Sequence, residues 1–555
     1  VRGFSMFGAS YVYVIFEDNT DIYWARTRVL ERLNFAQRLL PEGVTPTLGP
    51  DGTGVGHIFW YHLDAPGMDL GEQRALQDWY VKFALQTVPG VSEVASFGGF
   101  GKQYQVNIDP YKLNYYDVPL MDVLNAIRSN NNDVGGRKFE MSDMAYIVRG
   151  LGYIKKTEDI ENIPVGNYGS VPVRVKDVAS VQMGGDLRLG IFDMDGTGEV
   201  VGGIVVMRYG ENADNVIKAV KKKMAEVEKG LPPNVKFKVS YDRSELIEAA
   251  IESVKGTLTE EMIAVSIVVL LFLFHWRIAL IILIQLPISV AIGFILLEAF
   301  GLSSNIMSLT GIALAIGVVV DDGIVMVENA YRHLAEATWA KTFAERLSVI
   351  EKSCKQVGPG VFFSTIVTIA SFLPVFLLTG MEGKLFSPLA WTKTFILLVD
   401  AFLAITLTPV LIALILKGKL KPESANPITR FLEKLYTPVL KLCLRWRKTT
   451  LAIMLVALLV SIPMIMRLGT EFMPPLDEGS LLFMPVTLPD VSNSEVKRLL
   501  QVQDKIIASV PEVSHVLGKA GRANTATDNS PISMIETIIL LKPKSEWRAG
   551  LTKNV

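Results

Sequence analysis

The sequence lacks several things, and each absence removes a class of function. There are 2 cysteines in 555 residues, Cys354 and Cys443. Both fall in lysine- and arginine-rich segments, and the polar flanks carry none, so there is no disulfide framework. The 5 histidines, His57, His62, His275, His333 and His515, show no zinc-ligand spacing. His57 and His62 are five apart and read as ordinary core or surface residues. We find no phosphate-binding loop, no nucleophile triad and no metal-hydrolase spacing, so an enzyme is not expected. The formal net charge of −1 gives no basic footprint for nucleic acid. The sequence starts at Val1 without an initiator methionine or signal segment and stops in polar sequence at Val555. It reads as a piece of a longer chain, truncated at both ends.

Apolar residues, by contrast, are abundant. They make up 50% of the chain, and the mean hydropathy is +0.33. The excess concentrates between Met262 and Leu468, while both flanks read as ordinary soluble domains. A bilayer core needs about 20 apolar residues in a helix. Six stretches approach this: Met262–Phe274, Ile278–Leu297, Ile306–Val327, Val361–Leu378, Thr394–Leu416 and Leu451–Met466. The first is short unless Ile251–Glu261 forms a helical lead-in. The expectation is an α-helical transmembrane bundle of six helices.

Loop charge orients the bundle. Arg277, then Arg332, Lys341, Arg346, Lys352 and Lys355, then the run from Lys417 to Lys448, lie on one side. The opposite loops, Gly301–Asn305 and Thr379–Ser387, hold only Lys384. The basic side is expected to be cytoplasmic. Residues 1–250 and 468–555 then lie outside, in the periplasm of a double-membrane bacterium. Pro422 to Trp446 spaces Ile428, Leu432, Leu435 and Val439 as an amphipathic surface helix does.

The soluble flanks repeat a strand, an amphipathic helix, a proline turn and a strand. The turns are Leu40–Val44, Val88–Val91, Leu231–Val235 and Val510–Val513. Helices are expected at Ala213–Lys229 and Asn493–Ser509. Strands are expected at Tyr11–Phe16, Ile204–Arg208, Val235–Ser240, Leu481–Thr487 and Glu536–Leu541. Four such split β-α-β units point to ferredoxin-like α+β subdomains.

The third apolar stretch contains Asp321 and Asp322, and Glu328 follows seven residues after Asp321 on the same helix face. A charge at this depth costs at least ~2.5–3.5 kcal/mol. A carboxyl shielded from water can load and release a proton, so these acids are proton-relay candidates. The alternative for Asp321 is a structural acid paired with a lysine on another helix. For Glu328 it is a solvated helix end. The fifth stretch adds Lys393, which can snorkel outward, and Asp400, a second carrier or a counter-charge.

The last soluble region carries Met473, Met484 and Met534. Thioether sulfur selects Cu(I) or Ag(I) over Zn(II). Methionines in strands also serve simply as core fillers, and spacing alone leaves both readings open.

Several motifs together carry a resemblance. They are Ser10–Phe16, Thr20–Arg26, Leu48-Gly49-Pro50, Asn305–Leu309, Val325–Asn329, Glu382–Phe386, Asp477-Glu478-Gly479 and Thr525–Asp528. On these the chain resembles the heavy-metal efflux branch of the RND superfamily, and within it the CusA-type copper/silver pumps.

The resemblance implies a proton-driven inner-membrane pump. It would be a homotrimer with twelve membrane helices per subunit, working with a periplasmic adaptor (a membrane fusion protein) and an outer-membrane channel. No permanently bound cofactor is implied. Residues 1–50 would end the first porter subdomain; 51–97 and 187–250 would form the second; 98–186 would be a docking insertion. The transmembrane domain would be 251–467, with the surface helix at about 422–446, and 468–555 would open the third porter subdomain. Asp321 occupies the position of the family's relay aspartate. Met484 and Met534 match two of three metal-binding methionines, and the third would lie beyond Val555. Glu478, Asp528 and Glu536 match acids near that cleft, and Met307 and Met326 match a methionine path through the membrane. Val319, Leu397, Ile412 and Leu187 replace other methionines of that path. Ala315 stands where zinc/cobalt/cadmium pumps place an acid, and Asp322 and Asp400 are acids where copper/silver pumps have small apolar residues. The rivals are a divalent-metal pump, a multidrug exporter, and a protein-export or lipid-handling membrane factor without soft-metal ligands.

Overall fold

A computed structural model describes residues 1–6, 8–17, 20–273, 276–337, 339–340, 342–417, 427–469 and 479–551. The chain divides into two units. One is built from Val1–Phe16, Thr20–Leu246 and Asp477–Val555, the other mainly from Ile247–Leu476.

The first unit contains two four-stranded antiparallel sheets. The strands are β1 (Gly52–Asp64), β2 (Val91–Phe97), β3 (Gly190–Met194), β4 (Val201–Arg208), β5 (Lys236–Asp242), β6 (Ser480–Phe483), β7 (Val513–Gly521) and β8 (Ile535–Leu541). One sheet has the order β5-β1-β4-β2. A helical segment from Leu70 to Gln86 joins β1 to β2, and Ala213–Glu228 joins β4 to β5. This is a β-α-β-β-α-β arrangement, so the turns after Val88 and Leu231 belong to the two halves of one fold. The helix Ala213–Glu228 begins where Asn212 caps it through the Asn215 amide. It buries Val216, Ile217, Val220, Met224 and Val227 against Phe59, Tyr61 and Val205 of the sheet. That spacing is the 3.6 period of an amphipathic helix.

The second sheet has the order β3-β7-β8-β6, and helix Asn493–Ala508 packs on it through Val496 and Leu500. It holds a partial copy of the same unit, completed at the β7 edge by β3. The sequence reading placed Gly190–Met194 with residues 187–250. Hydrogen bonding pairs it instead with β7, Ile191 opposite Ala520 and Asp193 opposite Gly518. The sheet faces that carry no helix meet each other: Trp60, Phe97, Ile204 and Val206 pack with Phe192, Leu517 and Ile538. Residues 102–185 form a separate insertion with its own core of Val123, Ile160, Val175 and Val178. Near the start, the strand lies at Ala9–Tyr13, paired with Arg2–Met6, rather than at Tyr11–Phe16.

The second unit is helical: α1 (Arg243–Leu273, entering from the first unit), α2 (Trp276–Ala299), α3 (Ile306–Glu336), α4 (Phe343–Ser371), α5 (Gly380–Ile415), α6 (Pro427–Arg445) and α7 (Arg447–Met466). Among the described residues five helices are long and apolar enough to cross a membrane: α2, α3, α4 with its continuation to Leu377, α5 and α7. α1 holds the first apolar stretch but also carries Glu252, Lys255, Glu260 and Glu261, and it is not among the five. α6, Pro427–Arg445, is the described part of the expected amphipathic helix; residues 422–426 of that expectation lie outside the described residues. Its Lys434, Lys441 and Arg445 share the helix with Leu432, Leu435 and Val439.

Candidate functional site

In the first unit the two methionines singled out by sequence come together. The β6–β8 register pairs Phe483 with Thr537, and a bridge pairs Val486 with Met534. The same register carries Met484 opposite Glu536, with Met534 two residues along the neighbouring strand. Residues two apart share a sheet face, and diagonal neighbours lie within reach of long side chains. Met484 and Met534 therefore flank Glu536 on one face. Met484 is 42% exposed and Met534 half-buried.

The residue that organises this face is Lys519 on β7, which sequence reading missed. Its ammonium is buried, 2.7 Å from Asp528 Oδ1 and 2.8 Å from Glu536 Oε2. It lies 5.2 Å from the Phe97 ring centroid and 5.8 Å from that of Trp60. Burial acts to raise the Glu536 carboxyl, but the Lys519 charge and hydrogen bond, the Ser530 hydroxyl and His57 together outweigh it and hold the group below its ordinary value. The loop bearing Asp528 is anchored by Thr525 Oγ1, which donates to Glu93 at 2.7 and 2.8 Å. Two carboxylates and one ammonium leave one net negative charge at this face. Glu478 and Met473 lie outside the described residues.

His57 lies at the edge of this cluster. Burial pushes its imidazole below the ordinary value, with Asp528, Lys519 and Glu536 all within electrostatic reach. His62 is an ordinary core residue, its Nδ1 2.7 Å from Ser240 Oγ. Among the described residues no group of three or more His, Cys, Asp or Glu side chains forms a metal cluster.

The second unit places the acids unequally. Asp322 and Asp400 are buried, whereas Asp321 is exposed and Glu328 half-buried. Asp400 on α5 accepts from Gln285 Nε2 at 2.8 Å and Ser289 Oγ at 3.1 Å, both on α2. Thr408 Oγ1 donates to Gln285 Oε1 at 2.7 Å, and Thr365 Oγ1 of α4 donates to Asp322 Oδ2 at 2.5 Å. The two carboxyl groups lie close enough to interact electrostatically. Four helices thus meet at a polar core that sequence reading saw only as isolated acids. Lys393 does not snorkel: it is buried, with its ammonium 3.8 Å from the Phe372 ring centroid. The Phe372 ring supplies the compensating contact.

Met326 is buried, and Met307 half-buried. Met326 lines an apolar cavity of about 890 Å³ between α3, α4 and α5, together with Cys354, Phe362 and Ile405. The sequence reading placed Cys354 in a basic loop segment; it lies on α4 against this cavity.

Comparison with known proteins covers the whole chain. The family model described as AcrB/AcrD/AcrF matches residues 1–554. The chain is 47% identical over 564 residues to the cation efflux system protein CusA of Escherichia coli (strain K12), covering 100% of this chain and 54% of that protein. It is 48% identical over 563 residues to the putative cation efflux system protein SilA of Salmonella typhimurium, covering 100% and 53%. A crystal structure of a heavy metal efflux pump (crystal form II) superposes with a TM-score of 0.84 at 33% identity, covering 97% of this chain and 52% of that one. The chain spans about half the length of the curated relatives it matches.

Proposed function

The chain belongs to the AcrB/AcrD/AcrF family, and from that premise we propose that it is part of a proton-driven pump exporting Cu(I) or Ag(I) across a bacterial cell envelope. The observation that carries the choice of ion is the face shared by Met484, Met534 and Glu536. Thioethers are soft donors. The single negative charge left by Asp528, Glu536 and Lys519 balances one monovalent ion, whereas a divalent ion would leave an uncompensated positive charge beside buried groups. Ala315, buried on α3, supports the same choice against a divalent-metal pump, and the names of the relatives agree with cation efflux. Met307, Met326, Glu478, Asp528 and Glu536 would line the metal's route.

In this reading residues 1–250 and 468–555 are periplasmic porter and docking parts, and α1–α5 and α7 are six spans of an inner-membrane domain. The working assembly is a homotrimer with an adaptor and an outer-membrane channel, and it needs no resident cofactor and performs no covalent chemistry. Asp321, with Asp322, Glu328 and Asp400, forms the proton relay. An exposed carboxylate in an apolar span is costly against lipid, so the Asp321 face of α3 meets further protein. Loading that acid shifts helix packing, and the shift opens or closes the methionine face.

Proton-driven transport is tested by reconstituting the full-length protein in vesicles and imposing a pH gradient. Ag(I) moves against its own gradient and stops when a protonophore collapses the pH difference. Movement indifferent to the protonophore contradicts the reading.

A further inference from the structure

With α7 crossing the membrane, its length fixes where α6 lies. The 20 residues of α7 rise 1.5 Å each, about 30 Å in all, which is the thickness of the hydrocarbon core. α6 ends at Arg445 and α7 starts at Arg447, so α6 has no room inside the core and lies at its surface. Trp446 stands between them, leaves helical geometry at φ −106° and ψ 42°, and is exposed. That is the place and the side chain of an interfacial anchor. α6 itself carries two stripes. Leu432, Leu435, Val439 and Leu442 recur at intervals of three and four and so share one face. Arg430, Lys434, Lys441 and Arg445 recur at four, seven and four, about a third of a turn round the helix from the first stripe. Glu433 is the one acid of α6, and Arg447 and Lys448 extend the run of cations into α7. Every side chain of both stripes is exposed, so no described part of the chain covers either.

We propose that α6 is a binding surface for anionic phospholipid. Leu432, Leu435, Val439 and Leu442 enter the edge of the acyl region, and Arg430, Lys434, Lys441 and Arg445 hold headgroup phosphates beside them. The inference goes beyond the pumping reading and takes from it only the membrane span α7. An apolar line flanked by cations fits a leaflet surface, where acyl chains and phosphates lie at adjacent depths. The continuity of α6 with α7 puts the helix at that depth without any further partner. The surplus of cations over Glu433 selects the lipid class. A zwitterionic headgroup carries its own ammonium, which cancels the attraction, whereas a headgroup with net negative charge keeps it. The loop charges place α6 on the cytoplasmic side, whose leaflet attracts basic segments next to membrane spans.

The test uses the full-length protein with its native cysteines replaced by serine and a fluorophore attached through Leu435→Cys. It is reconstituted in phosphatidylcholine vesicles that contain brominated phosphatidylglycerol or brominated phosphatidylcholine. Quenching against composition gives the relative affinity of the two lipids at α6. Phosphatidylglycerol binds at least ~10-fold more tightly, and added salt weakens the preference. Arg430→Gln, Lys434→Gln, Lys441→Gln and Arg445→Gln together bring the two lipids to parity. Arg430→Lys, Lys434→Arg, Lys441→Arg and Arg445→Lys together keep the preference, which separates charge from packing. Equal quenching by both lipids without these substitutions overturns the proposal. Quenching by neither lipid also overturns it, and means that protein covers α6. A protein that pumps Ag(I) in the vesicle assay above but shows no lipid preference loses this proposal alone. One that shows the preference but does not pump loses only the pumping reading.

Discussion

Lys519 and Glu536 face each other across β7 and β8, and their side chains close the pair at 2.8 Å. The pair is buried at Lys519 and shared with Asp528. Removing one member of such a set leaves an uncompensated buried charge. Lys519→Met therefore costs about 3–5 kcal/mol of stability, read as a lower unfolding temperature. In the same variant the metal face carries two unbalanced carboxylates, so metal preference moves toward divalent ions. Wild-type stability and unchanged preference in Lys519→Met contradict the charge argument.

A second buried carboxyl set predicts a pH dependence. Asp193 of β3 and Asp504 of the helix Asn493–Ala508 are both fully buried. Burial, and then the Asp193 carboxyl, pushes Asp504 up to about 8, and burial also raises Asp193. A carboxyl group whose value is higher folded than unfolded makes the folded state bind more protons between the two values. Stability then falls as pH rises from about 4 to about 8, by at most roughly 1.4 kcal/mol per pH unit for one proton. Hydrogen exchange in Gly190–Met194 should quicken across that window, and Asp504→Asn should flatten the response. Protection that instead rises with pH over the same window, once the intrinsic base-catalysed rise in exchange is removed, contradicts the raised carboxyl values.

Asp321 carries the transport coupling in the proposed mechanism. Asp321→Asn should abolish export while leaving Ag(I) affinity at the methionine face unchanged. Export that persists in this variant removes Asp321 from the relay.

Asp400 should behave differently, because its carboxyl is part of the packing of α2 against α5. Asp400→Asn keeps an acceptor for Gln285 and Ser289. Asp400→Leu leaves Gln285 Nε2 without its acceptor, at roughly 0.6 kcal/mol for the interhelical bond, while Ser289 Oγ keeps the Gln285 carbonyl. The leucine variant should melt lower in detergent than the asparagine variant. Equal melting of the two contradicts the structural role.

The parts legible in the sequence are those with strong local patterns. The proline turns, the helices Ala213–Glu228 and Asn493–Ala508, and the apolar spans all follow from periodicity and length. Which aspartate faces inward was not legible. Gly311, Ala315, Val319, Asp322 and Met326 form the buried face of α3, but a span that is apolar all round gives no phase to separate Asp322 from Asp321. Lys519 was missed because a lysine in a strand normally reads as a solvated residue. Only the approach of Asp528 and Glu536, with aromatic rings above, makes its burial tolerable. The exchange of Gly190–Met194 into the second sheet was also hidden, since strand pairing over more than three hundred residues leaves no local trace. The methionines gave the reverse case: their types suggested soft-metal chemistry, and the strand register brings Met484 and Met534 to one face.

The most direct test of the central claim uses the full-length gene in a bacterium stripped of its own metal pumps, scored for growth on silver and copper against zinc, cobalt and cadmium. The account predicts protection against silver and copper alone, lost in Met534→Ile. Protection against zinc or cobalt, retained in Met534→Ile, would mean that the methionines only pack the sheet and that acidic side chains carry the metal.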